Sequence, residues 1–287
     1  MANVKLTVSP APNRTIHCVR MTYSIALIGI LLIMSATPVA TAQVIWAGFK
    51  AGGQVNLPKI DDIHFRDTAK VIPAPGFNVG LVVFFKVKNR YFLQTEYIYS
   101  MKSKVLSGKG KKDDELSDKV VYNYFEVPIL FTRQSKGHML GGEFKWYFGA
   151  GPNIAYLLGG RGTIASSELK ENNIPSLDYR VAFASRGGRQ EMDVVYYPGT
   201  NRLQFGINVG AGFIVEPSPK QRVVIDLRYT FDQTAFGKGS ADYQFPYTYN
   251  DNLKFRNRTL RFSVMYLLEY NISKKSRHTG KSNKRIK

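Results

Sequence analysis

The last apolar segment of the chain, Thr259 to Asn271, alternates without a break. Leu260, Phe262, Val264, Tyr266, Leu268 and Tyr270 fall on one face, and Arg261, Ser263, Met265, Leu267 and Glu269 on the other. A period of two is that of an extended strand, because successive side chains point to opposite faces. Seven further segments alternate in the same way: Val44 to Val55, Gly76 to Phe85, Tyr91 to Met101, Val120 to Arg133, Glu143 to Leu158, Asn201 to Glu216 and Gln221 to Asp232. Pro128 sits inside the fourth, and a proline cannot donate to a ladder, so it predicts a local break there.

The connections carry as much information as the strands. Asn56 to Pro75, Lys102 to Lys119, Gly159 to Thr200 and Gln233 to Arg258 read as long loops. Lys86 to Arg90, Gln134 to Gly142 and Pro217 to Lys220 read as short links, so the order is long, short, long, short, long, short, long. That alternation, with an even strand count, is the habit of outer-membrane barrels, and a soluble sandwich has no reason for it. The expected fold is therefore all-β: a transmembrane antiparallel up-and-down β-barrel of eight strands. Two shorter runs, Tyr179 to Ser185 and Glu191 to Tyr197, are expected to form a hairpin beyond the membrane, since each falls short of the 9–11 residues a spanning strand needs. If they span, the count becomes ten.

Composition fits this geometry. Among 287 residues, 17 are Tyr and 18 Phe. The mean hydropathy is nevertheless negative, as when loops and a polar lumen dilute an apolar belt. A helical membrane protein would need several apolar runs of about 20 residues. The one such run lies at the N-terminus, where Arg20, the apolar Ser24 to Met34 and the small-x-small site Ala40-Thr41-Ala42 spell a secretory signal. Residues 1–42 are thus expected to be cleaved before Gln43, with Met21 as an alternative start and a single helical anchor as the competing reading. Cys18 is the only cysteine and falls in the removed part. Residues 43–271 then form the barrel and 272–287 a basic tail. The formal charge is +19, and the tail holds Lys274, Lys275, Arg277, Lys281, Lys284, Arg285 and Lys287 with no acid. For an exported chain such a tail suits anionic lipid, lipopolysaccharide or an acidic periplasmic protein better than nucleic acid, although a solvated end is the plainer account of it.

With apolar faces outward, the polar faces line the lumen. Glu96, Glu126, Lys145, Arg202, Gln204, Asp226, Arg228, Arg261 and Glu269 all fall there. Eight strands enclose a space about wide enough to be filled by side chains. Glu96, Glu126, Asp226 and Glu269 are therefore expected to pair with Lys145, Arg202, Arg228 and Arg261 as a plug. Inward glycines such as Gly80, Gly149, Gly206, Gly210 and Gly212 are expected to make room for the long side chains. No cofactor or metal site is expected. The mature histidines, His64, His138 and His278, fall in loops, a link and the tail, away from any inward Ser, which argues against acid–base or nucleophilic catalysis.

The runs Asn123-Tyr124-Phe125-Glu126-Val127-Pro128-Ile129-Leu130, Gly149-Ala150-Gly151-Pro152-Asn153 and Asn257-Arg258-Thr259-Leu260 resemble the PorT-like outer-membrane β-barrel family of Bacteroidota. The resemblance implies an eight-stranded barrel, and some members of that family assist protein secretion. Three functions follow as expectations. The first is a non-enzymatic structural or interaction protein of the bacterial outer membrane, both termini periplasmic. The alternatives are porin-like passage of small solutes and a lipid-modifying enzyme.

Overall fold

A computed structural model describes residues 44–61, 69–109, 115–139, 142–184, 193–241 and 251–271. The proposed signal segment, the basic tail, His64 and His278 lie outside them. In chain order the elements are β1 (Val44–Asn56), β2 (Lys59–Ile60), β3 (Ala69–Ile72), β4 (Ala74–Lys88), β5 (Tyr91–Lys109), β6 (Glu115–Met139) and β7 (Gly142–Ala165). They continue with α1 (Ser167–Glu171), β8 (Leu177–Ala182), β9 (Val194–Tyr196), β10 (Leu203–Ser218), β11 (Gln221–Asp232), β12 (Phe255–Arg256) and β13 (Arg258–Asn271).

Eight of the strands close a ring. The order is β1, β4, β5, β6, β7, β10, β11 and β13, with β13 returning to β1, and every neighbouring pair is antiparallel. The seam runs from Val44↔Asn271 to Asn56↔Thr259. Closure leaves no edge of unpaired amides, the condition any sheet must meet in a hydrocarbon environment.

The burial pattern is inverted relative to a soluble protein. Phe49 is 71% exposed while its neighbour Lys50 is 1% exposed. The outer wall carries Leu81, Phe131, Phe148, Leu203, Phe205, Ile207, Phe213, Leu227, Phe262 and Val264. An apolar surface of that extent marks contact with lipid or protein, not water.

Several elements run longer than the alternation of the central segments suggests. Most of the stretch Lys102 to Lys119 is strand: β5 continues to Lys109, β6 begins at Glu115, and residues 102–109 pair with 115–122. Its lysines are compatible with a strand because Lys102, Lys104 and Leu106 keep facing inward, where acids from other strands and a loop meet the two amines. Likewise the link Gln134 to Gly142 narrows to two residues between β6 and β7, and His138 belongs to β6. Beyond Leu158, β7 runs on to Ala165; a register shift opposite Asn123 and Tyr124 places one extra residue there and turns the next side chains.

Tyr179 to Ser185 and Glu191 to Tyr197 do not form a hairpin. β8 adds to the far end of β7 antiparallel, and β9 pairs with β8 in parallel. Neither joins the ring, so the count is eight. At Pro128 the ladder to β5 runs to Thr95↔Ile129 and resumes at Ile98↔Glu126, with the register unchanged. The missing proline N–H interrupts the pairing locally without bending the strand out of register.

The inward glycines do two things. A Cβ at Gly80 would lie 2.1 Å from the Tyr97 carbonyl oxygen, so that residue allows a close approach of backbones in a narrow barrel. At Gly212 a Cβ would lie 2.4 Å from the Ile225 carbonyl oxygen and 2.5 Å from the Tyr147 ring, so there close backbone approach and the room-making expected of these glycines coincide.

The lumen closed by two apolar layers and a charged plug

At the end that carries the short turns and both strand termini, Trp46, Val82, Phe84, Phe92, Tyr147, Ile214, Val224, Met265 and Leu267 form one apolar layer across the lumen. At the opposite end a larger cluster closes the mouth, and half of it comes from connections. Ile60, Leu169, Val195, Tyr197, Phe236, Leu253 and Phe255 fold over Tyr122, Tyr124 and Leu157 of the wall. Phe236 and Phe255 stack with centroids 4.6 Å apart, and Phe236 lies 4.8 Å from Tyr122. The pairing of β2 with β12 fixes the first and last long connections against each other. Ser166 caps α1 by accepting from the Leu169 amide at 3.2 Å, which directs Leu169 into the cluster.

Between these layers the lumen is filled by ion pairs in successive tiers. In the first, Arg228 forks onto Glu96 with both contacts at 2.9 Å, and Lys50 donates to Glu96 at 3.2 Å and to Asp226 at 2.8 Å. Arg228 also lies 3.1 Å from Asp226, the Tyr147 hydroxyl donates to Asp226, and Gln94 donates to Glu96. Next along the lumen, Arg261 donates to Glu126 at 2.6 Å, while Lys102 bridges Glu126 at 3.4 Å and Asp232 at 3.2 Å. Two cations face two carboxylates in each of these tiers. Their side chains are at most 1% exposed. Charges out of water cost several kcal/mol each unless paired and hydrogen-bonded, and here every carboxylate meets a cation.

A third pair, Lys104 with Asp251, sits under the mouth cluster, with the Lys104 amine 4.6 Å from the Phe255 ring centroid. Burial pushes the Asp251 carboxyl above its ordinary range even beside Lys104. Lys104→Met should therefore leave a buried carboxylate without its cation, a loss of about 3–5 kcal/mol, and loosen residues 251–255. A carboxyl with a raised folded pKa favours the folded state on the acid side, so the loosening should shrink as pH falls through the carboxylate range. Hydrogen exchange of 251–255 at neutral and mildly acidic pH checks both points.

The structure thus brings Glu96, Asp226 and Arg228 together, and separately Glu126 and Arg261. It does not bring Lys145, Arg202 or Glu269 into the plug. Lys145 pairs with Glu216 at the short-turn rim, and Glu269 lines the same rim. Arg202 donates to the Leu157 carbonyl at 3.1 Å and lies 4.8 Å from the Tyr156 ring centroid on the outer side. Gln204 is buried and donates to the Asn201 carbonyl. In place of Lys145 and Arg202 the lumen cations are Lys50, Lys102 and Lys104, and in place of Glu269 the added acids are Asp232 and Asp251. Lys50 shares the inward parity of Trp46 and Gln54, a signal already present in the alternation.

The Glu126-x-Pro128 and Gly149-x-Gly151-Pro152-Asn153 runs meet across β6 and β7. Asn153 donates to Glu126 at 3.1 Å and pairs in register with Pro128. A Cβ at Gly151 would lie 2.0 Å from the Ile129 carbonyl oxygen. Together they join the wall to the plug.

The short-turn mouth is a basic vestibule of about 600 Å³, lined by Lys86, Arg90, Lys136, Lys145 and Arg222 with Glu269 the one acid and Trp46 and Phe92 beneath. The Arg222 guanidinium lies 3.7 Å from the Trp46 ring centroid and donates to Glu216 at 2.8 Å. Among the described residues, no group of three or more His, Cys, Asp or Glu side chains is placed to hold a metal ion.

Solved barrels similar to this chain include Neisserial surface protein A, 9% identical over 79% of this chain and 97% of that one, TM-score 0.36. OprG from Pseudomonas aeruginosa is 12% identical over 79% and 95%, TM-score 0.41. Ail, the attachment invasion locus protein of Yersinia pestis, is 14% identical over 78% and 98%, TM-score 0.31. No curated protein matches the sequence. The model of the outer membrane protein beta-barrel domain matches residues 46–232, which covers more than half of the chain and seven of the eight ring strands. The chain therefore belongs to the outer membrane protein beta-barrel domain family of the bacterial outer membrane.

Proposed function

We propose that this barrel is a non-enzymatic structural or interaction protein and not a pore. The observation that carries the reading is the lumen, blocked by neutral tiers of paired charge between two apolar layers. An aqueous path would have to break pairs that are costly to separate. Residues 1–42 are read as a cleaved signal and both barrel termini as periplasmic, so the tail from residue 272 emerges on the side where the short turns lie. The finer assignment, to PorT-like barrels of Bacteroidota that support protein secretion, rests on the Glu126-x-Pro128 and Gly149-x-Gly151-Pro152-Asn153 motifs. Lipopolysaccharide and membrane lipid are the partners of the outer wall.

The purified barrel in planar bilayers should give no steady single-channel steps; well-resolved steps would overturn the filled-lumen reading and favour solute passage. Copurification from outer membrane with and without residues 272–287 tests the interaction role, the expected result being one stable partner recovered in a tail-dependent way.

A further inference from the structure

We propose that the basic vestibule at the short-turn mouth is a docking site for an acidic peptide segment of a protein partner. This rests on the interaction reading above and assigns a place and a ligand chemistry to it. The vestibule is concave and of about 600 Å³, within the range of about 300–1,000 Å³ typical of ligand clefts. Five of its lining side chains are cationic and one is acidic. Outside the lining, Glu216 accepts from both Lys145 and Arg222 and so neutralises none of the other three cations. Lys86, near the end of β4, and Arg90, in the turn to β5, make no ion pair among the described residues. Charge of one sign concentrated in a low-dielectric recess attracts the opposite sign strongly.

Two features favour a peptide over a lipid headgroup. The recess opens along the barrel axis inside the ring of strands, whereas lipid meets the outer wall, which is apolar. Its base is aromatic, with Arg222 against Trp46 at 3.7 Å and Phe92 at 6.0 Å. A chain alternating carboxylates with apolar side chains satisfies both the cationic rim and that base. The chain's own tail cannot fill the site, because all its charged residues are cations too. Val44, in the vestibule lining, pairs with Asn271, the last strand residue. Asn271 therefore ends the last strand at the rim of the vestibule.

Only two tryptophans exist, Trp46 and Trp146, so Trp146→Phe makes Trp46 the sole indole reporter, under Arg222. The mature protein with that change, folded into phosphatidylcholine vesicles, is titrated with a ten-residue peptide alternating Glu and Ala, with its Lys–Ala counterpart, and with inorganic phosphate. Saturable change in Trp46 emission is expected for the Glu peptide alone, weakened at least tenfold by Lys86→Glu with Arg90→Glu, and retained when residues 272–287 are removed. No saturation, indifference to the double charge reversal, complete loss on removing the tail, or equal competition by phosphate would each overturn the proposal. If charge reversal lowers the folded fraction, Lys86→Gln with Arg90→Gln serves instead and should weaken binding by a smaller factor in the same direction. Bilayer conductance is read separately, so a conducting lumen and an empty vestibule are distinguishable failures.

Discussion

Glu96→Ala should destabilise the folded barrel by about 3–5 kcal/mol, the usual consequence of removing one partner from a buried ion pair. Glu96 accepts the Arg228 fork and is contacted by the Lys50 amine at both of its oxygens. Without it, Asp226 alone faces two buried cations, and the tier carries an uncompensated positive charge. Unfolding by urea in vesicles, followed by intrinsic fluorescence, measures the loss. The companion variant Glu96→Leu with Arg228→Met leaves Lys50 paired to Asp226 and substitutes apolar volume for the forked pair, so it should recover most of the stability. If the double variant is as unstable as Glu96→Ala, the cost lies in lost packing and not in orphaned charge.

The plug also shows what alternation alone can and cannot specify. Parity decides the side of the wall, and on the central segments it places Lys50, Glu96, Glu126, Asp226, Arg228 and Arg261 inside. It does not decide the level along the axis. Lys50 and Lys145 have the same inward parity, yet Lys50 lies level with Glu96 in mid-lumen while Lys145 sits at the rim with Glu216. Level depends on how the strands stagger around the closed ring, which no single strand carries. Lys102 and Lys104 were hidden for a different reason. A lysine-rich stretch has the composition of a solvated loop, and its inward lysines are accommodated in a wall strand by Glu126 on the neighbouring strand and by Asp232 and Asp251 from other parts of the chain. The mouth cluster leaves still less trace, because Phe236, Leu253 and Phe255 are apolar residues without a period, in connections whose polarity otherwise signals turns.

The seam between the first and last strands is where a side chain added to a single glycine should have its largest effect. Gly48 faces inward on β1 and pairs with Leu267 of β13. A Cβ there would lie 1.8 Å from the Tyr266 carbonyl oxygen and 3.0 Å from the Leu267 Cα. These are backbone atoms, so no rotamer change relieves the overlap; the strands must separate where the ring closes. Gly48→Val should therefore cost about 3 kcal/mol or more, at or beyond the upper end of ordinary overpacking, and leave a large unfolded fraction after refolding into vesicles. Gly53, five residues along the same strand, faces outward with nothing within 4 Å of a Cβ. Gly53→Val adds a β-branched side chain to the exposed wall and should fold at least as well as the parent, since glycine in a strand interior is itself unfavourable. Heat-modifiable electrophoretic migration separates folded from unfolded barrel in both cases. Equal folded fractions for the two variants would mean that the seam yields, and that backbone contact at Gly48 does not govern closure.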